Sequence, residues 1–401
     1  MPPEYRSPGV FVEDMSPALP PSIKAVPTSV AAFVGRTRRG PTEAPALLAR
    51  FSDFERLYGG LADDCPLSHA VQQFFDNGGT QCHVARVIHR AANGSPDEAA
   101  PITDADLVGA GLQPAGRGLW LLDQADPVNI LCIPPLAPGV DVAPSSWDVA
   151  IGWARSRRAF VIVDAPASWT TASAAARSVG NYVSRDPNAA IYFPRLVVPT
   201  GLHGRRRRAF APCGAVAGVF ARTDGSRGVW KAPAGTEARL DGVAGLNVAV
   251  SGHDNGLLNR AAVNALRSFP GYGPLVWGAR TLAGEDGSGS EWKYIPSRRL
   301  ALHIEESLDR GLRWTVFEAG GEPLWVKIRA ATTGFMQSLF LAGAFQGAAP
   351  KDAYFVRCGL DTTSEAEIAR GTTNLLVGFA ALKPAEFLLI RLAIRTAVAA
   401  S

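Results

Sequence analysis

Cysteine is scarce. Cys65, Cys82, Cys132, Cys213 and Cys358 are scattered over 401 positions with no CxxC pair. An odd, dispersed set supports neither a disulfide framework nor a zinc site, and it fits synthesis in a reducing cytosol. Only six of the 40 basic residues are lysine and none follows a glycine, so no phosphate-cradling P-loop can form. HExxH and GxSxG are absent, and the six histidines are dispersed. The opening MPPEYRSPGVFVEDM has neither a basic n-region nor an apolar h-region, so no signal peptide is expected. The longest uncharged stretch, 330–350, carries Thr332, Thr333, Gln337, Gln346 and three glycines; it reads as a helix buried in protein rather than a membrane span. A formal charge of 40 − 36 = +4 is too small to argue for a nucleic-acid partner.

An apolar share of 47% against 19% charged residues describes a globular chain, and the length suggests two or three domains. Proline interrupts the first 28 residues seven times, so no helix runs there. The strand-like piece GVFVED, 9–14, has no partner nearby and is not stable alone. Two readings stand: a disordered terminus, or an arm completed by another molecule.

Further on, the pattern predicts a strand over 28–35 and a short helix over 52–59, with Ser52 and Glu55 as a capping box. A helix follows in PLSHAVQQFFDNGG and a strand over 81–88. From Leu119, apolar strands LWLLD, NILCIP, AFVIVDAP and AAIYFPRLVV alternate with helices over 146–157 and 170–184, which means a mostly parallel sheet covered on both faces. The last third predicts a helix over 299–310, a strand over 314–317, a long helix from EPLWVKIR, a strand AYFVRCG, and one or two terminal strands. In the last piece Leu388, Ile390, Leu392 and Ile394 alternate with Leu389, Arg391, Ala393 and Arg395; strand and helix both fit.

Chemistry is sparse. Asp164 closes a strand where open α/β sheets carry functional groups, and His253 with any of several serines would complete a hydrolase-like triad only if geometry allowed. The run 205–208, four arginines, reads as a solvated loop before it reads as an anion site. SGHDNGLLN and EDGSGSEW read as turns.

Nine segments in order nevertheless resemble one family, the sheath proteins of contractile phage tails and related contractile injection systems: SPGVFVED, VPTSVAAFVGRTRRGP, FSDFERLYGG, AVQQFFDNGGTQCHVARV, APCGAVAGVFARTDGSRGVWKAPAG, GLLNRAAVNALRSFPGYGPLVWGARTL, EWKYIPSRRL, WTVFEAGGEPLWVKIR and KPAEFLLIRLAI. The resemblance implies an α/β and α+β protein: an N-terminal arm and linker (1–27), an α/β body with a subtilisin-like middle region (28–283), and a C-terminal sheath domain ending in a strand arm (284–401). It implies a structural subunit without catalytic residues, metal or cofactor, made in the cytoplasm and built into a phage tail or tail-like particle. Its partners would be sister copies in stacked six-membered rings, an inner tube, and baseplate and cap proteins. Competing readings are an α/β hydrolase and a non-contractile coat subunit. The expected arm is Gly9, Val10, Phe11, Val12 and Glu13, pairing with the terminal strand Phe387, Leu388, Leu389, Ile390, Arg391 and Leu392 of a neighbour. Glu305, Glu306, Asp309, Lys327 and Arg329 are the candidate tube contacts.

Overall fold

The computed structural model describes residues 21–91, 93–200 and 206–397; the expected arm, Gly9, Val10, Phe11, Val12 and Glu13, lies outside them. Apolar runs bounded by glycine and proline become β1 (Ala31–Gly35), β2 (Ala46–Leu48) and β3 (Cys82–Arg86), with helices α1 (Phe51–Tyr58) and α2 (Pro66–Asp76) between β2 and β3. A small hairpin, β4 (His89–Arg90) and β5 (Pro96–Asp97), and the short helix α3 (Asp104–Val108) lead to β6 (Ile130–Cys132), α4 (Pro144–Ser156), β7 (Phe160–Asp164), α5 (Ala172–Tyr182) and β8 (Ala189–Phe193). Pro194 ends β8, and the chain enters a second, three-stranded sheet through β9 (Leu196–Thr200), β10 (Arg206–Phe210) and, after helix α6 (Cys213–Arg227), β11 (Gly245–Leu246). Helix α7 (Gly252–Arg260) precedes the hairpin β12 (Val263–Phe269) and β13 (Gly273–Val276).

The main sheet has the order β13-β12-β8-β7-β6-β1-β3-β2, parallel from β12 to β3 and edged by antiparallel β13 and β2. Alternation along β1 divides two cores. Ala32 and Val34 face a layer holding Leu121, Trp147 and Val179; Ala31 and Phe33 face one holding Phe74 and Phe220. Two glycines of α6 set the second layer's spacing. A Cβ at Gly214 would stand 2.1 Å from the Ala70 carbonyl oxygen, and one at Gly218 2.5 Å from that of Phe74, so α6 and α2 pack backbone to backbone.

The last third forms the helices α8 (Ile295–Gly311) and α9 (Glu322–Leu341), then the short helix α10 (Pro350–Ala353), β14 (Tyr354–Cys358), the short helix α11 (Glu365–Ala369), β15 (Thr372–Phe379) and β16 (Leu388–Arg395). Uncharged 330–341 is therefore part of a helix packed in protein, with Phe335 and Met336 buried. Among the described residues no helix is long and apolar enough to cross a membrane.

Helix α8 joins the two parts. Its Ile295 and Leu302 enter the second core of the body, while Leu300, Ala301, Ile304 and Leu308 enter the core shared with α9 and the terminal sheet. Between these faces Arg299 makes a forked pair with Asp224 of α6, at 2.8 and 2.6 Å, with both side chains 3% exposed. The guanidinium lies 4.7 Å from the Phe220 ring centre and donates to the Thr28 carbonyl, while the Thr28 hydroxyl donates to Asp224. The linker is pinned here as well. Ile23 is buried against Gly311, where a side chain would collide with it, and the Val26 N–H donates to the Ser307 hydroxyl.

Several sequence expectations are corrected. LWLLD and residues 314–317 are 3₁₀ turns (Gly118–Gln124 and Arg313–Phe317), not strands; Leu119, Leu121 and Leu122 are buried, so the apolar run reflects burial rather than pleating. Helix α1 starts after Arg50, so Ser52 is not its cap; instead Asp53 accepts from the Ala49 N–H. SGHDNGLLN is helix α7, started by a capping box between Ser251 and Asp254. The described part of the arginine run lies on strand β10, antiparallel to β9. The middle region is not subtilisin-like. Its parallel sheet takes β1 and β3 from the start of the chain into the same layer, and no triad forms: Asp164 is sealed under the first turn of α6 while His253 stands exposed on α7.

Removing one member of the Arg299–Asp224 pair strands the other charge in the interior. Asp224→Ala should destabilise the chain by about 3–5 kcal/mol in urea unfolding, while Asp224→Leu with Arg299→Met should recover most of that loss. Equal losses in the single and double variants would show that the pair is not the joint.

Candidate assembly interface

The three-stranded sheet β14-β15-β16 is antiparallel, with β15 in the centre. Edge β16 is the longer of its two edges, eight residues against five in β14. Leu388 and Ile390 are buried, and Leu392 and Ile394 are half-buried against the same core, so the period-two pattern is a strand lying on a hydrophobic layer. On the opposite face Leu389, Arg391, Ala393 and Arg395 are exposed.

Backbone polarity along this edge follows from the ladder. The Thr396 N–H donates to the Gly371 carbonyl, so even-numbered residues of β16 exchange hydrogen bonds with β15. N–H and C=O groups of Leu389, Arg391, Ala393 and Arg395 therefore point away from β15. Ala397, next in that odd series, shows the direction: its N–H donates to the Glu318 carbonyl at 3.0 Å, and Ala319 bridges Ala397 in parallel. That stub covers the far end of the edge. Over the rest, no described residue pairs with the outer side of β16. Natural edges are usually protected by proline, bulges or cover; β16 has no proline and an unbroken eight-pair register. A row of unmet donors and acceptors of this kind is chemically suited to the addition of another strand.

The expected terminal-strand residues Phe387, Leu388, Leu389, Ile390, Arg391 and Leu392 are thus brought together on or beside one open edge. The candidate tube contacts are not gathered into one surface. Glu305 pairs within α8 with Arg298 (3.1 Å), while Glu306 pairs with Arg158 (2.8 Å) and Arg310 (2.6 Å) and Asp309 with Arg158 (3.2 Å), so Glu306 and Asp309 hold the seam with the body. Lys327 pairs with Glu318 (3.2 Å); Arg329 pairs with Glu322 (2.6 Å) and donates to the Cys358 carbonyl, both on α9 near its first turns. Arg158 reaches across from a left-handed backbone position, φ 51°, just after α4. Sequence pattern had no way to find it, because its partners lie about 150 residues away.

Two other places invite chemistry and show none. A cavity of about 390 Å³ opens at the seam beside Val26, Asp126, Arg158, His303 and Arg310. Its charges are largely spent on each other, Arg310 holding Asp126 and Glu306, and burial pushes His303 down to about 4, so its ring is neutral. Asp164 accepts one bond, from the Cys213 N–H at 2.9 Å, and its second oxygen has no partner. Burial raises its carboxyl to about 7. Among the described residues no group of His, Cys, Asp or Glu is arranged to hold a metal.

Asp164 makes a pH prediction. Its folded-state value lies above the ordinary 3.8, so the stability tied to the neutral carboxyl is full below about pH 4 and is lost as pH rises through about 7. Asp164→Asn should gain thermal stability relative to the parent between pH 4 and 8, measured by calorimetry. A pH-independent difference would mean that the carboxyl is not sealed.

Residues 128–282 match the phage tail sheath protein central domain family. Over nearly the whole chain the fold is similar to the PVC sheath of an extracellular contractile injection system in its contracted state, at 28% identity and a TM-score of 0.73, covering 97% of this chain and 98% of that one. The helical sheath of the anti-feeding prophage, also contracted, is 28% identical with a TM-score of 0.70, covering 97% of this chain and 99% of that one. A sheath tail protein from Desulfitobacterium hafniense, 10% identical, shares the fold at a TM-score of 0.63, covering 96% of this chain and all of that one. No curated protein matches. These likenesses are to sheath folds, which overturns the subtilisin-like expectation, and they mark the chain as a structural protein rather than an enzyme. Residues 128–282 thus carry the likeness to the phage tail sheath central domain, and the chain as a whole is similar in fold to the sheath proteins of contractile injection systems.

Proposed function

We propose that this chain polymerises as a helical sheath around an inner tube and contracts to drive that tube through a target envelope. The observation that carries the reading is the open edge of β16 in a chain whose fold matches contracted sheaths along 97% of its length. Copies joined head to tail without closing make an open helical filament, and a strand given to the next copy's edge is such a joint. Each backbone hydrogen bond in it is worth about 1 kcal/mol net. A short joint is weak alone, and a lattice of them is strong. Work comes from an assembled extended state that is metastable, so no nucleotide or cofactor takes part.

The linker sets the reach of the arm. Residues 15–27 fully extended would span about 40 Å, but Ile23 is docked on α8, so the reach beyond that point is at most that of the eight residues 15–22, about 26 Å at roughly 3.3 Å each. That length lets rigid bodies swing while the strand stays paired. Partners in the assembled particle would be sister copies, the tube, and baseplate and cap proteins, with synthesis in the cytoplasm. Lys327 and Arg329 on α9 are the candidate tube contacts that lie away from the seam, each held within its own copy by an acid, Glu318 and Glu322.

Deleting residues 1–20 should leave a folded monomer, with unchanged far-ultraviolet dichroism, that forms no long sheaths by electron microscopy; continued polymerisation into contractile tubes would sink the arm. Lys327→Glu should reduce the fraction of sheaths that contain a tube. Unchanged occupancy would remove Lys327 from the contact.

A further inference from the structure

We infer that a crevice beside the β4–β5 hairpin binds a free tetrahedral oxyanion, phosphate or sulfate, held by Arg86, Arg90 and Arg117. The crevice measures about 70 Å³ and opens between the end of β3, strand β4, helix α3 and the start of the 3₁₀ turn at Gly118. Lodging one water takes about 10–15 Å³. The space therefore suits the oxygens of one such ion and is too small for a nucleotide.

Arg86 is the fixed member. It is 3% exposed, and its outer nitrogens are both engaged: Nη1 donates to the Gly40 carbonyl and Nη2 to Glu98, each at 2.8 Å. Those bonds set the plane of the guanidinium. Its Nε–H is buried and has no partner among the described residues. A buried donor left unmet is costly, which favours any ligand that meets it. Arg90 donates to the Gly94 carbonyl at 3.2 Å, and the one carboxylate within 4 Å of it among the described residues, Glu43, stands 3.9 Å away with its side chain 79% exposed. Arg117 is exposed at the mouth and forms no ion pair among the described residues.

The charge inside the crevice is one-sided. Asp106 is the single acid that lines it, and that carboxylate is already engaged. Its Oδ2 accepts from the Thr103 N–H and hydroxyl, both at 2.8 Å, and its two oxygens lie 3.1 and 3.0 Å from Nδ1 of His89. Glu98 and Glu43 face Arg86 and Arg90 from outside the lining, and both are more than half exposed, where solvent screens them. Three guanidiniums thus converge on a space without a free acceptor. Guanidinium forks match oxyanions with paired, charge-assisted hydrogen bonds. Water would fill the space and meet Nε of Arg86, but it would leave the convergent charge uncompensated. Gly118 allows the close approach. At φ 59° its Cβ would stand 2.3 Å from the Leu107 carbonyl oxygen, so the turn that follows Arg117 lies against α3. A bound ion ties β4, α3 and that turn into one unit.

The test compares the melting temperature of the full-length chain in sodium phosphate and in sodium chloride at equal ionic strength and pH, with isothermal titration calorimetry of inorganic phosphate alongside. Phosphate and sulfate also stabilise proteins generally by exclusion from their surfaces, an effect that grows steadily with concentration. Binding at a site saturates instead. The expected result is a saturable one-to-one titration and a phosphate-specific rise in melting temperature. Arg117→Gln should weaken the affinity about tenfold, the loss of one charge-assisted hydrogen bond, while melting in chloride at the parent temperature. Arg117→Lys, which keeps the charge and loses the fork, should fall between. A rise that does not saturate and is equal in the parent and in Arg117→Gln would overturn the site. O-phosphoserine binding more tightly than inorganic phosphate would overturn the free ion as occupant and assign the crevice to a phosphoryl group carried on a larger molecule.

Discussion

Helix α8 cannot be taken away from either half of this molecule. One side of it completes the core of the α/β body and the other completes the core beneath the terminal sheet. Arg299, buried between, is tolerable only because Asp224 and the Thr28 carbonyl satisfy its guanidinium and Phe220 lies against it. A buried pair of this kind adds little net stability over an apolar contact, yet breaking it is costly, so it acts as a register pin for the joint. The same helix fixes the linker through Ile23 and Ser307.

That constraint matters for a contractile polymer. Under the proposed function, force passed between copies through the terminal sheet would have to reach the body without dissipating in a loose hinge. Around the buried pair, Arg158 and Arg310 tie Glu306, Asp309 and Asp126 across the seam. These outer pairs are partly exposed and individually weak; as a set they oppose sliding. In the proposed assembly, a subunit stiffened in this way would place motion between copies rather than inside them.

The parts that look catalytic have structural work instead. Asp164 sits at a strand end where α/β enzymes place their chemistry, but the first turn of α6 closes over it, and its raised carboxyl is a consequence of burial. An α/β sheet supports many functions, and only the geometry of a site distinguishes them. Here the candidate functional feature is a row of backbone groups on β16, which carries no residue signature of its own.

Much was legible from residue pattern alone. Buried parallel strands such as FVIVD must be apolar on both faces, and helices such as α2 must carry apolar residues at helical spacing, so β7, α2, α4, α5 and α9 were readable wherever burial and period agree. The pattern misled where burial occurs without regular pleating, as in LWLLD and 314–317, and where a cap overrides turn-forming residues, as Ser251 does for α7. The alternation of β16 admitted two conformations; partnership with β15, a long-range contact, selected one. The joint at Arg299 and the open edge were beyond local reading, because both depend on which distant segments meet and on what fails to cover them. Local spacing carries periodicity and composition, which decide the elements; burial partners and unfilled edges are properties of the assembled chain, and those decide how this subunit can join another.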